Sequence, residues 1–121
     1  LNRVKNSFNS YPIDRLAQAA GIEAKKDLKY FNLTTTKIIK ARTFLEKELL
    51  SMDFETLPSG ANFIFTKHKS KDAIIIVKKL RELGVLVRHF EKPERISQYL
   101  RVTIGTMEDM HKLVSILKQI I

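Results

Sequence analysis

Two arginines stand in stretches that otherwise read as core strand. In "YLRVTIGT", residues 99–106, Leu100, Val102 and Ile104 alternate with Tyr99, Arg101 and Thr103. Strand side chains alternate between two faces, so the apolar trio faces a core and Arg101 points the other way. Arg88 closes a second short apolar stretch, "VLVR" at 85–88. A guanidinium offers paired, planar N–H donors that match a carboxylate or a phosphate, where lysine is a looser point charge. Two roles fit both residues: an anion anchor, or an ordinary ion pair with Glu91, Glu94 or Glu108. Asn9, Tyr11 and Asn62 are further polar residues at element starts, where turn or cap duty competes with lining a site.

Little else in the chain could do chemistry. There is no cysteine, which excludes disulfides, thiolate metal sites and cysteine nucleophiles. His68, His89 and His111 are scattered without a paired metal-ligand spacing. Only four glycines occur, in none of the phosphate-loop or nucleophile-elbow patterns. Ser7, Ser10 and Ser59 have no neighbouring histidine or acid to activate them. The residues therefore point to binding without a self-contained catalytic or metal centre.

The 121 residues are enough for one domain with a real core, and 22 Lys+Arg against 13 Asp+Glu give a net charge of +9. A strongly basic balance is one footprint of nucleic-acid binding. Here the basic residues are dispersed, as "KK" at 25–26 and 78–79 and "KHK" at 67–69. With no dense basic block and no stacking aromatics on a polar strand face, a solvated basic surface is expected, without a nucleic-acid partner. No apolar run approaches the roughly 20 residues of a membrane span. The opening "LNRVKNSFNSYP" has no apolar stretch of secretory length. No membrane partner is expected, and cytoplasmic location is the default.

The elements that must position the arginines follow from periodicity. A first helix starts near Pro12, with Ser10 or Tyr11 at its cap, and spaces Ile13, Leu16, Ala17, Ala20, Ala24 and Leu28 helically, weakened or bent at Gly21. Thr34, Thr35 or Thr36 caps a second helix with Ile38, Ala41, Leu45, Leu49 and Met52 on one stripe. "FETL" and "ANFIFTK" read as strands around the turn Pro58-Ser59-Gly60. Ser70 caps a third helix with Asp72 in its first turn, an inner stripe of Ala73, Val77 and Leu80, and Gly84 just past its end. "VLVR" and "LRVTIG" are strands three and four, separated by the loop "HFEKPERISQY". Thr106 and Asp109 approximate a capping box for a last helix that buries Met107, Met110, Leu113, Val114, Leu117 and Ile121. The order ααββαββα predicts an α+β domain, a small, mostly antiparallel four-stranded sheet covered by helices.

Four stretches, "LNRVKNSFNSYPIDRLAQAA", "PSGANFIF", "LRELGVLVRHF" and "YLRVTIGT", resemble in order and spacing the C-terminal part of the histidinol-phosphate aminotransferase family. These are fold-type I pyridoxal-phosphate enzymes. "G-V-L-V-R" followed by "L-R-V-T-I-G-T" is the specific pairing, and the resemblance covers essentially the whole chain. It implies that residues 1–33 are a connecting segment and helix leaving a large domain, with apolar surface within 1–30 that meets it. Residues 34–121 would form the small α+β domain that closes over the substrate. It implies that Arg101 binds the carboxylate of glutamate or 2-oxoglutarate and the phosphate of histidinol phosphate or imidazole acetol phosphate. Arg88 would assist on the phosphate. None of the four stretches matches the family's Schiff-base lysine segment, its aspartate partner or its phosphate cup. Pyridoxal phosphate is thus implied for a full-length homodimer and not for this chain, which would be inactive alone. Aromatic aminotransferases and threonine-phosphate decarboxylases resemble the same pattern.

Overall fold

The computed structural model describes residues 13–121, so Asn9 and Tyr11 lie outside the described residues. The chain divides into two compact units, residues 1–34 and 35–121. In the first, helix α1 (Arg15–Lys26) is capped by Asp14, whose carboxylate accepts from the Ala17 N–H at 2.9 Å. The cap therefore falls later than Ser10 or Tyr11. Asp14 is a preferred cap type placed directly before the helix, whereas Ser10 and Tyr11 lie outside the described residues. The helix runs unbroken through Gly21 and ends at Asp27. The Asp27 N–H donates to the Glu23 carbonyl at the end of α1, and its carboxylate accepts from the Tyr30 N–H at 3.0 Å at the start of α2 (Leu28–Ser51), so one residue serves both helix ends. That early start places Thr34, Thr35 and Thr36 inside α2 and corrects their reading as its cap. No residue of α1 is buried, and Ile13, Leu16, Ile22 and Leu28, the described large apolar residues of the surface expected within residues 1–30, are exposed, Leu16 by 84%.

The second unit holds the sheet. Strands β1 (Phe54–Leu57), β2 (Phe63–His68), β3 (Arg88–His89) and β4 (Leu100–Thr103) lie in the order β1-β2-β4-β3 with every pair antiparallel. Helices α3 (Ala73–Glu82) and α4 (Met107–Ile120) complete the order ααββαββα. Ala41, Leu45 and Leu49 of α2, Ala73, Ile76 and Leu80 of α3 and Met110, Leu113, Val114 and Leu117 of α4 pack with Phe54, Ile64, Leu100 and Val102 in one core. The architecture is the α+β sheet expected, with the core on one face only.

Local differences have simple causes. Asp72, not Ser70, caps α3 by accepting from the Ile74 N–H at 2.9 Å. The Ser70 N–H is taken by His68 Nδ1, which also accepts from the Lys71 N–H. Ile76 replaces Val77 as the buried middle of the α3 stripe, and Met107 is 39% exposed at the first turn of α4. The third strand is only Arg88–His89, because Val85 and Val87 lie alongside the core without ladder pairing. Gly84 sits at φ +76, the left-handed conformation that a glycine just past a helix supplies cheaply. The Thr106–Asp109 capping box is present, and its hydrogen bonds hold the Asp109 carboxyl below its ordinary pKa. A Cβ at Gly105 would come within 2.7 Å of Asp109 Oδ2, so the box also explains the glycine after β4.

Candidate anion-binding site

Register places the two arginines side by side. Leu57 pairs with Phe65, Phe65 with Arg101, and Arg101 with Arg88. Directly opposed strand residues share a face. One row therefore crosses all four strands on the face away from the core, passing from apolar to aromatic to two cations. Leu100 and Val102 are buried beneath it while Arg101 is exposed, as the alternation in "LRVTIG" requires.

Each guanidinium rests on a ring. The Arg101 guanidinium carbon lies 5.3 Å from the Phe63 ring centre, and that of Arg88 lies 5.3 Å from Phe90. Such contacts orient a cation without neutralising it. The ion pairs expected as the competing role do not form. Among the described residues, the salt bridges join Lys26–Glu23, Arg42–Glu46, Lys67–Glu55, Lys69–Asp53 and Lys118–Glu48. Glu91, Glu94 and Glu108 take no part, and neither arginine has a carboxylate partner.

The aromatic side of this face departs from the sequence reading, which placed no stacking aromatics there. Phe65 stacks on Tyr99 at 4.7 Å, Phe90 meets Phe65 edge-on at 6.2 Å, and Lys67 lies over Tyr99. These ring faces cover one another or carry cations, which leaves them poorly disposed to stack nucleobases.

Sequence reasoning missed Arg42. From α2 it donates to the Ala61 carbonyl at 2.7 Å, with its side chain only 15% exposed. The Ser59 hydroxyl donates to the Phe63 carbonyl at 2.6 Å and accepts from the Ala61 N–H at 3.1 Å. Arg42 and Ser59 thus fix the turn that leads into β2. The spacing of Arg42 on a helix gave no signal, because its partner is a main-chain oxygen 19 residues away. Asn62 is exposed, and its carbonyl accepts from the Ile104 N–H at 2.8 Å. It ends the β2–β4 pairing, a structural duty at the site's edge.

The three histidines stay apart, and the described residues hold no cluster able to bind a metal ion. His68 is buried against Phe54, and His89 Nε2 donates to the Ser97 carbonyl at 2.6 Å. His111 stacks on Phe44. Nor do the described lysines suit a cofactor aldehyde. Lys67 is the one described lysine that is half-buried, and Glu55 at 3.0 Å raises its pKa and keeps it protonated. A Schiff-base lysine needs the opposite shift.

Comparison with known proteins decides the family. The profile described as "Aminotransferase class I and II" matches residues 1–117. The chain belongs to this family. It is 49% identical over 121 residues to histidinol-phosphate aminotransferase 2 of Burkholderia lata, covering 100% of this chain and 34% of that protein. It is 52% identical over 118 residues to the histidinol-phosphate aminotransferase of Acinetobacter baylyi, covering 98% of this chain and 32% of the relative. The chain thus spans about a third of the length of these relatives. The Sinorhizobium meliloti histidinol-phosphate aminotransferase, solved in complex with pyridoxal-5'-phosphate, superposes with a TM-score of 0.77 at 22% identity, covering 99% of this chain and 34% of that one. That likeness carries the fold. No helix among the described residues is long and apolar enough to cross a membrane.

Proposed function

We propose that the chain is the small, substrate-closing domain of a homodimeric, pyridoxal-phosphate-dependent histidinol-phosphate aminotransferase, and that Arg101 and Arg88 are its substrate oxyanion anchors. The observation that carries this reading is the Arg88–Arg101 register, with no ion pair to either residue among the described residues. Like charges directly opposed across a strand pair destabilise it, so an arrangement left unmatched favours an anionic ligand as the missing partner. Glutamate presents a carboxylate of charge about −1, and histidinol phosphate a group of about −1.5 to −2. Arg101 serves both, and Arg88 adds the second fork that the more charged group requires. Pyridoxal phosphate, held by parts of the enzyme outside this chain, would supply the electron sink for amino transfer. The residues of this chain hold the substrate's charged end and so fix the position of its reacting end.

The test is steady-state kinetics of the full-length enzyme that contains this chain. Arg101→Ala should lower kcat/KM for both glutamate and imidazole acetol phosphate by thirtyfold or more, from the about 2–5 kcal/mol lost when a desolvated charge pair is broken. Arg88→Ala should fall mainly on the phosphorylated substrate. Unchanged kinetics for Arg101→Ala would return it to the role of a solvated arginine. An aromatic aminotransferase of the same fold is the second reading, favoured by the aromatic rings around Arg101. Preferred turnover of phenylpyruvate would select it.

A further inference from the structure

The rings under the two arginines are held in different ways. Phe90, which carries Arg88, meets Phe65 edge-on, and Phe65 stacks in turn on Tyr99. Phe63, which carries Arg101, has no ring–ring contact among the described residues, so its main chain sets its place. Phe63 opens β2 opposite Thr103, and its side chain reaches Arg101 diagonally, two residues along β4. The turn just before it is pinned at three points. The Ser59 hydroxyl bridges the Ala61 N–H and the Phe63 carbonyl, and the Asn62 carbonyl accepts from the Ile104 N–H. The third pin is Arg42, which donates to the Ala61 carbonyl at 2.7 Å and ties the turn to α2. This largely buried guanidinium has its nearest carboxylate, Glu46, 3.9 Å away, so its short bond is to the main chain. A charged donor makes such a bond roughly twice as strong as a neutral one.

We infer that Arg42, which lies on α2 and not in the arginine row, is a positioning residue for the anion anchor. Through the Ala61 carbonyl it fixes the start of β2, with it the Phe63 ring, and with that ring the direction of the Arg101 guanidinium. This role rests on the anion reading of Arg101 and adds to it a residue from a different element. The Phe90 seat is braced by rings and not by the turn, so Arg42 acts on Arg101 and leaves Arg88 alone. The effect therefore falls unequally on the two substrates. A carboxylate that depends on Arg101 loses its anchor's alignment, whereas a phosphate keeps the second fork of Arg88.

Steady-state kinetics of the full-length enzyme that contains this chain test the role. Arg42→Met should raise KM for glutamate about fivefold with kcat held within about twofold, the scale of a lost cation–ring contact that weakens binding and spares chemistry. KM for imidazole acetol phosphate should rise less. Arg42→Lys keeps a charged donor and should recover most of the loss. Ser59→Ala leaves Arg42 in place and releases the Phe63 carbonyl; it should act in the same direction, and it carries the test if Arg42→Met does not fold. In a Phe63→Leu background, which lacks the ring, Arg42→Met should add no further rise in KM. A residue serving stability alone would lower kcat for both substrates in step with the folded fraction, and its effect would add to that of Phe63→Leu. Either result overturns the inference, as does an unchanged KM for glutamate. These failures leave the anion reading standing where Arg101→Ala still impairs both substrates. Full activity of Arg101→Ala would overturn the anion reading itself.

Discussion

Arg88 and Arg101 face each other across β3 and β4 with no ion pair to either among the described residues, and that arrangement has a measurable cost. Directly opposed Cα atoms lie about 4.5–5.5 Å apart in an antiparallel pair. Like charges so placed destabilise by roughly 0.2–1 kcal/mol. Coulomb's law gives the same scale, about 0.5 kcal/mol for guanidinium centres roughly 8 Å apart in a water-like dielectric. The perturbation is Arg→Met at each position, alone and together, which removes charge and keeps an apolar stem. Each single variant also loses its ring contact at 5.3 Å, a difference that a double-mutant cycle cancels. Urea unfolding at about 10 mM ionic strength is the assay, because the Debye length there is about 30 Å and guanidinium would screen the effect. Each single variant relieves the same repulsion, so the double variant should be less stable than the summed singles by about 0.5 kcal/mol. Inorganic phosphate should then stabilise the wild type by mass action, about 2.7 kcal/mol at a hundredfold excess over its Kd, and stabilise the variants less. The coupling therefore changes sign on adding phosphate. A favourable coupling without phosphate would mean that a counter-ion is already built in, and would refute the argument.

His68 and Arg42 give two more tests. Burial, with Lys71 close by, lowers the His68 pKa below 6.5, while Asp53 and a hydrogen bond to Met52 oppose that shift. The folded ring is neutral where the unfolded one takes up a proton, so stability is full above about pH 6.5 and is lost as the pH falls through the lowered value. His68→Asn keeps an acceptor for the Ser70 and Lys71 N–H groups and removes the titration. The slope of its urea midpoint between pH 7 and 5 should be shallower than the wild type's, and an identical slope would sink the assignment. Arg42→Met removes the 2.7 Å bond to the Ala61 carbonyl, and hydrogen bonds to charged groups contribute about 1.5–3 kcal/mol. Hydrogen exchange at the Ala61 and Ile104 amides should then speed up at least severalfold, with partial rescue by Arg42→Lys. Unchanged exchange would show that the turn holds itself.

The sheet and its helices were legible because their signals are local. Leu100, Val102 and Ile104 alternate with residues that cannot be buried, and Ala41, Leu45 and Leu49 repeat at helical spacing. The exposed position of Arg101 followed from the same alternation. Its pairing with Arg88 did not, because register across a connection that includes a loop and a 3₁₀ turn at Glu94–Ile96 is a tertiary fact. The errors came from residues with two possible duties. Ser70 is a good cap by type, yet Asp72 directly precedes the helix and its carboxylate is the one that reaches the Ile74 N–H. The aromatic side of the arginine face was invisible for a related reason. In "ANFIFTK" Phe63 and Phe65 alternate with Ile64 and Thr66, so both faces carry apolar residues, and only the structure shows that Ile64 and Thr66 take the core face.

What separates this site from the rest of a basic surface is that its two cations are directly opposed across a strand pair and that each rests on a ring. Lys26, Arg42, Lys67, Lys69 and Lys118 each have a carboxylate, and that leaves their charge committed within the fold. Arg88 and Arg101 have rings instead. A carboxylate would have fixed each guanidinium equally well, but a ligand would then have to displace it. An aromatic ring limits the side chain's freedom and leaves its N–H donors and its charge available, so less ordering remains to be done when an anion arrives. The same contrast explains why Lys67, on the same face, is a poor candidate for chemistry. Glu55 keeps it protonated, and its ammonium lies over the Tyr99 ring. The face is thereby divided between charges left open for a ligand and charges closed off by the protein, and that division follows from the choice of phenylalanine at positions 63 and 90.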